Sequence, residues 1–104
     1  MPGNIPDVDK LIHEPARLAI MTQLYVVESA DFIFIMQRTG LTWGNLSSHL
    51  TKLETAGYVE VEKSFIDKKP HTLLKLTLSG RQAFENYRSQ LTQFLTTLPG
   101  STDA

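Results

Sequence analysis

Cysteine is absent from the 104 residues of this chain, which excludes disulfides, thiolate metal sites and thiol-based redox sensing and fits a reducing compartment. No apolar run approaches the roughly 20 residues needed to span a bilayer, and residues 1–7 carry neither the basic nor the apolar region of a secretory signal. A cytoplasmic location with no membrane partner is therefore expected. The three histidines, His13, His49 and His71, lie far apart with no second ligand at metal-binding spacing. A phosphate-cradling glycine loop and a nucleophile elbow are also missing. No metal, cofactor or catalytic residue is expected, and the chain does not read as an enzyme. A large excess of one charge is lacking too: the net charge is −1, against the overall basicity common in nucleic-acid binders.

What is present is an ordinary globular composition, 41% hydrophobic and 20% charged, long enough for one core and short for two. Residues 1–104 are read as one domain with loose ends at 1–7 and 99–104. Charge is unevenly placed along it. Residues 38–81 hold seven Lys/Arg against four Asp/Glu, whereas residues 1–37 hold two against five and residues 82–104 one against two.

Asp9 is placed to cap a short helix, and Pro15 to open a second one reaching about Val27. Leu18, Ala19, Ile20, Met21, Leu24, Tyr25, Val26 and Val27 cover most of that helix's circumference, so it is expected to be covered on more than one side, with a partner chain as a candidate for the second. Residues 31–38 are ambiguous, because Phe32-Ile33-Phe34-Ile35 is an unbroken run of β-formers. Asp31 is nevertheless a good N-cap and Gly40 a good C′ residue, which favours a helix. Thr39-Gly40-Leu41 then leads to a helix capped by Thr42 and ending near Ala56, the arrangement of a helix-turn-helix. Val59-Glu60-Val61-Glu62 and Leu74-Lys75-Leu76-Thr77-Leu78 alternate as two half-buried strands. Thr77 and Ser79 are equally good caps for a last helix, in which Phe84, Tyr87, Leu91, Phe94 and Leu98 form a seam at spacings of three and four before Pro99-Gly100 ends it.

The helix over about 42–56 turns Leu46, Leu50 and Leu53 inward and leaves an opposite side of Gly44, Asn45, Ser47, Ser48, Thr51, Lys52 and Thr55. These are weak helix formers where Glu, Lys and Arg would stabilise better, so something other than helix stability selects them. Short polar groups near a helix N-terminus can reach base edges without holding the backbone away from DNA. Asn45, Ser47, Ser48, Thr51 and Lys52 are the candidate reading residues, set against a plain solvated face. Lys63, Lys68, Lys69 and His71, in a hairpin tip over about 64–72, suit phosphates, set against solubilising charge. Trp43 can be a lid, a sugar-stacking ring or a core residue, with lid or core preferred, and His49 beside the leucine stripe is read as a structural hydrogen-bonder.

The order of these pieces resembles the winged-helix transcriptional regulators of the MarR-like superfamily, and more narrowly its small stand-alone winged-helix DNA-binding family. The resemblance rests on Ile12-His13-Glu14-Pro15-Ala16-Arg17-Leu18, Asp31-Phe32, Asn45-Leu46-Ser47-Ser48-His49-Leu50, Leu53-Glu54-Thr55-Ala56-Gly57-Tyr58-Val59, Lys63-Ser64-Phe65 and Leu76-Thr77-Leu78-Ser79-Gly80-Arg81, and covers residues 8 to about 95. It implies a mainly α fold with a small β-hairpin, helix at 31–38, Thr77 as the last cap, and end helices that pair two copies. The implied partner is double-stranded DNA with a pseudo-palindromic operator, bound by a homodimer. Unlike many such wings this one has no arginine, so it reads as a backbone clamp more than a minor-groove probe.

Leu18, Met21, Tyr87, Leu91, Phe94 and Leu98 are the candidate dimer interface, on the apolar first helix and the last helix's seam. The resemblance also allows a small-molecule effector between the end helices and the DNA-binding part, with Phe32, Phe34, Tyr25 and Phe84 as candidate lining, set against plain core. The competing reading is a winged-helix module that docks protein through its end helices without binding DNA.

Overall fold

The structure is a computed structural model describing residues 5–99, so most of both expected loose ends lies outside the described residues. Its elements run α1 (Pro15–Val27), β1 (Ser29–Asp31), α2 (Phe32–Thr39), α3 (Trp43–Thr55), β2 (Val59–Ile66), β3 (Lys69–Leu76) and α4 (Leu78–Thr96). Four helices pack with a three-stranded antiparallel sheet of order β1-β3-β2. The extents of 57 × 25 × 22 Å show that the shape is drawn out along one axis.

Three of the four helix starts, those of α1, α3 and α4, are fixed by a capping side chain. Glu14 accepts from the Arg17 N–H at 2.8 Å and Pro15 follows as the first helical residue, where its missing N–H costs nothing. Asp9 caps one turn and no more. Its carboxylate accepts from the N–H groups of Leu11 and Ile12 at 2.8 and 3.2 Å, and the chain then turns into α1 without a separate helix. Thr42 accepts from the Asn45 N–H at 3.2 Å and Thr77 from the Gly80 N–H at 2.9 Å. Asp31 has the extended backbone of an N-cap, although its carboxylate makes no capping bond.

Residues 32–39 are helical in spite of their β-forming side chains, because burial of Phe32 and Ile35 outweighs propensity. Gly40 at φ 74° ends α2. Gly57 at φ 82° ends α3, with the Tyr58 N–H reaching back to the Leu53 carbonyl at 3.0 Å and the Gly57 N–H to Glu54 at 2.9 Å. That is the Schellman pattern, which requires a left-handed residue at this point.

Three expectations are corrected in the sheet. Residues 29–31 form a strand with no pattern of its own, paired Ser29 to Lys75, Ala30 to Leu74 and Asp31 to Leu73. Leu78 is not the end of β3 but the first residue of α4, and it is exposed, because Thr77 turns the chain out of the sheet. The hairpin is also tighter than a loop over 64–72. β2 and β3 pair continuously from Val59–Leu76 to Ile66–Lys69, joined by Asp67 and Lys68 alone, both at positive φ. Two left-handed residues give the turn whose twist matches the strands.

The core gathers Ile12, Ile20, Met21, Leu24, Ile35, Leu46, Leu50, Leu53, Val59, Leu74, Phe84 and Tyr87, so every helix contributes to it. α4 joins it only through its first half: Phe84 and Tyr87 are buried, Leu91 and Phe94 half-buried, and Leu95 and Leu98 exposed. The helix stops at Thr96, short of Pro99, where the Thr97 hydroxyl donates to the Phe94 carbonyl at 2.6 Å.

Candidate nucleic-acid interface

Packing of Leu46, Leu50 and Leu53 against the core forces the other side of α3 outward. Gly44, Asn45, Ser48, Thr51, Lys52 and Thr55 are exposed, and Ser47 is half-buried on the flank facing the sheet. The Thr51 hydroxyl donates to the Ser47 carbonyl at 3.0 Å, which leaves its lone pairs to accept. Lys52 makes no ion pair among the described residues. The candidate reading residues thus share one accessible surface.

The strands bring the wing beside that surface. Paired residues point to the same side of a sheet, so the Val61–Leu74 and Lys63–Thr72 pairs face α3. A cleft of about 490 Å³ results, lined by Phe32, Trp43, Ser47, Leu50, Thr51, Glu54, Val61, Lys63 and Thr72. Lys63, Lys68 and Lys69 are exposed and unpaired by any acid among the described residues, whereas Lys75, nearer the root, is held by Glu62 at 3.2 Å. His71 pairs with Ser64 on the side of the ribbon turned away from Lys63. The wing's free cations therefore lie on the outer ribbon.

Trp43 is a lid and not a core residue. It is 61% exposed and packs on Phe32 with ring centroids 4.4 Å apart. His49 is a structural partner: Arg17, which can only donate, sits 3.1 Å from its Nδ1, so that nitrogen accepts. The same guanidinium donates to the Leu11 carbonyl at 2.6 Å, and Glu14 lies 3.9 Å from the imidazole. The Arg17 backbone N–H, donating to Glu14, holds that carboxyl below its ordinary range despite the opposing effect of burial. This cluster braces α3 against the start of α1, and no spacing in the sequence announces it.

A second brace stands behind the wing. The Tyr58 hydroxyl donates to Asp9 at 2.5 Å, and that bond, helped by burial, pushes its pKa up to about 12. Tyr87 hydrogen-bonds His13 Nδ1 at 2.7 Å, and burial raises its pKa as well.

The candidate dimer residues divide. Met21 and Tyr87 are 0% and 2% exposed inside the protomer's own core, so they hold α1 and α4 to the domain and offer a partner nothing. Leu18 and Leu91 are half-buried along an open α1–α4 groove of about 560 Å³, which Val26 and Leu95 also line. Phe94 is half-buried further along α4, and Leu98 lies past its end. The four aromatics offered for an effector do not meet in one pocket. Tyr25 and Phe84 pack at 4.9 Å in the α1–α4 groove, Phe32 lines the α3–wing cleft, and Phe34 lies under Arg38. Among the described residues no group of three or more His, Asp or Glu could hold a metal ion, and no helix is long and apolar enough to cross a membrane.

A helix-turn-helix whose second helix is exposed along its polar side, flanked by a β-ribbon, is a winged helix. The chain belongs to the winged helix DNA-binding domain family, which it matches over residues 16–95. An uncharacterized protein of Methanocaldococcus jannaschii is 39% identical over 84 residues, covering 81% of this chain and 91% of that one. The solved structure of a transcriptional regulator homologue from Pyrococcus horikoshii OT3 superposes with a TM-score of 0.82 at 32% identity, over 88% of this chain and 90% of that one. At 21% identity the fold alone is shared with overoxidized AbfR of Staphylococcus epidermidis bound to DNA, TM-score 0.71, over 90% of this chain and 69% of that one. The fold and family are those of DNA-binding transcriptional regulators.

Proposed function

We propose that the chain is a sequence-specific regulator that binds a pseudo-palindromic duplex as a symmetric homodimer. In this reading α3 enters the major groove, where Asn45, Ser47, Ser48, Thr51 and Lys52 meet base edges, and Lys63, Lys68, Lys69 and His71 carry the wing along the backbone or minor groove. The observation that carries it is the adjacency of the exposed polar side of α3 to three lysines that no acid among the described residues neutralises. AbfR, which shares the fold, has been seen bound to DNA. With so few cations in one copy, two copies supply the affinity that one lacks. Their natural seat is the α1–α4 groove, where Leu18, Leu91 and Leu95 would meet the same residues of the second copy. The same groove, lined by Tyr25 and Phe84, is the place for a small-molecule effector in this reading.

Selection from a random duplex pool tests the proposal. A palindromic motif, with retention that weakens as salt rises, is the expected result. Recovery of no motif together with salt-independent retention would overturn it. The protein-docking alternative separates on Lys68→Glu with Lys69→Glu, which it tolerates and a DNA binder does not.

A further inference from the structure

The wing carries two large apolar side chains that its charges do not explain. Phe65 is 75% exposed, and Ile66 beside it is also open to solvent. Neither packs on the core, because β1 accompanies β3 only from Leu73 to Lys75, and beyond that the hairpin projects as two strands on their own. All residues from Glu62 to Pro70 are exposed. At about 3.3 Å per residue, the stretch from Lys63 to Ile66 stands roughly 13 Å clear of the sheet's root.

Register decides which way Phe65 faces. Side chains alternate along a strand, and Val61 and Lys63 line the cleft beside α3, so Phe65, two residues further, lies on that same side. Its cross-strand partner is Pro70, which also points there and whose ring stiffens the ribbon where β3 has no outer neighbour. Ile66 and Lys69 face the opposite way, with Ser64 and His71. The side of the wing nearest α3 therefore ends in an apolar pair, Phe65 and Pro70, behind one cation, Lys63, with Lys68 in the turn and Lys69 on the opposite side.

Cations before and after an aromatic ring along a projecting ribbon select a polyanion over an apolar protein surface as the occupant. A polyanion with an apolar interior is a stacked duplex. We infer that Phe65 is a wedge: the wing lays its lysines on the phosphates and presses the Phe65 ring into the minor groove at a base step flanking the major-groove site. The inference rests on the proposed function and gives it a content the lysines lack. Apolar wedges of this kind partly unstack a step and kink the duplex toward the major groove. Pyrimidine–purine steps yield most easily, so the wing would favour TA or CA at that position without any hydrogen bond to a base. An arginine at the tip is then unnecessary, because shape and deformability are read by a ring.

The test uses the full chain and the duplex recovered by selection, with 2-aminopurine placed in the flanking steps and bending read by circular permutation. Wild-type binding should raise the fluorescence at one flanking step and bend the duplex. Phe65→Ala, at an exposed position that the fold does not need, should abolish both signals and weaken binding about tenfold, whereas Phe65→Leu should retain much of each. Salt dependence should be unchanged in either variant, since no cation is removed. A wild-type complex without bending or unstacking overturns the wedge while leaving DNA binding in place, and so does an Ala variant that bends the duplex as the parent does. Failure of the wild-type chain to bind any duplex overturns the proposed function and the wedge together.

Discussion

Adding one methyl group at Gly80 should cost far more than its size suggests. Gly80 lies in the first turn of α4, and an ideal Cβ there would sit 2.1 Å from the Tyr58 carbonyl oxygen, 2.9 Å from its carbon and 3.0 Å from Leu76 Cδ1. Carbon and oxygen in contact need roughly 3.3 Å, so the helix start must retreat by about 1 Å from backbone that cannot give way as a side chain would. The retreat pulls on the bonds that share this carbonyl. The Thr77 N–H donates to it at 3.1 Å, and the Thr77 hydroxyl donates to it at 3.1 Å and to the Gly57 carbonyl at 2.6 Å. Overpacking costs about 1–3 kcal/mol. Each weakened hydrogen bond adds about 1 kcal/mol. Alanine recovers up to about 1 kcal/mol of helix propensity over glycine. The net loss for Gly80→Ala is about 3 kcal/mol, a fall in Tm of about 15 °C for a chain of this size, measured by thermal and urea unfolding followed by circular dichroism. Gly44→Ala is the control, because its Cβ meets nothing within 4 Å. That variant should gain up to about 1 kcal/mol. A Gly80→Ala protein as stable as Gly44→Ala would refute the reasoning.

Other perturbations separate the site from its supports. Lys63→Ala, Lys68→Ala and Lys69→Ala should each lower the slope of log affinity against log salt by about one, read by fluorescence anisotropy on a fixed duplex; a slope unmoved in all three would remove the wing from the interface. Leu95→Asp, on the exposed side of α4, should turn the proposed dimer into a folded monomer in sedimentation equilibrium, and a mass equal to the parent's would remove the α1–α4 groove as its seat. Tyr58 has its pKa pushed up to about 12, so folding holds its proton more tightly than the unfolded chain does. The stability this contributes is complete below about pH 10 and is lost as pH rises towards 12. Tyr58→Phe should flatten that part of the alkaline decline in urea midpoint, and superimposable pH profiles would assign the decline to other groups.

Helix boundaries were legible because capping is local. Thr42 and Gly40 each satisfy groups within a few residues, so their roles can be read from neighbours in the chain, whereas spacing alone could not choose between Thr77, which is the cap, and Ser79. Strand β1 could not be found that way. Ser29, Ala30 and Asp31 carry no alternating pattern and become a strand only through Leu73, Leu74 and Lys75, more than 40 residues away. The hairpin turn was hidden for a related reason: Asp67-Lys68 adopts the left-handed conformations that Asn-Gly or Asp-Gly would signal. The polar side of α3 was visible as poor helix formers where good ones would serve, while the brace of Arg17, His49 and Glu14 behind it depends on tertiary packing. The apolar surface of α1 and α4 was the most deceptive feature. Periodicity marks residues that avoid water without saying what covers them, and for Met21 and Tyr87 the cover is the protomer itself.

The sheet order has a further consequence, for behaviour in concentrated solution. β2 is a terminal strand, so the outward backbone groups of the ribbon have no strand to pair with. Such edges recruit other edges and seed aggregation. Along β2 the chain places Glu60, Glu62 and Lys63 in close succession, leaving only Ser64-Phe65-Ile66 without charge before the turn. Three residues are too few to template a stable strand pair. The acids that lower the wing's overall basicity thus act as guards at its border, keeping separate molecules from zipping together while the tip stays free.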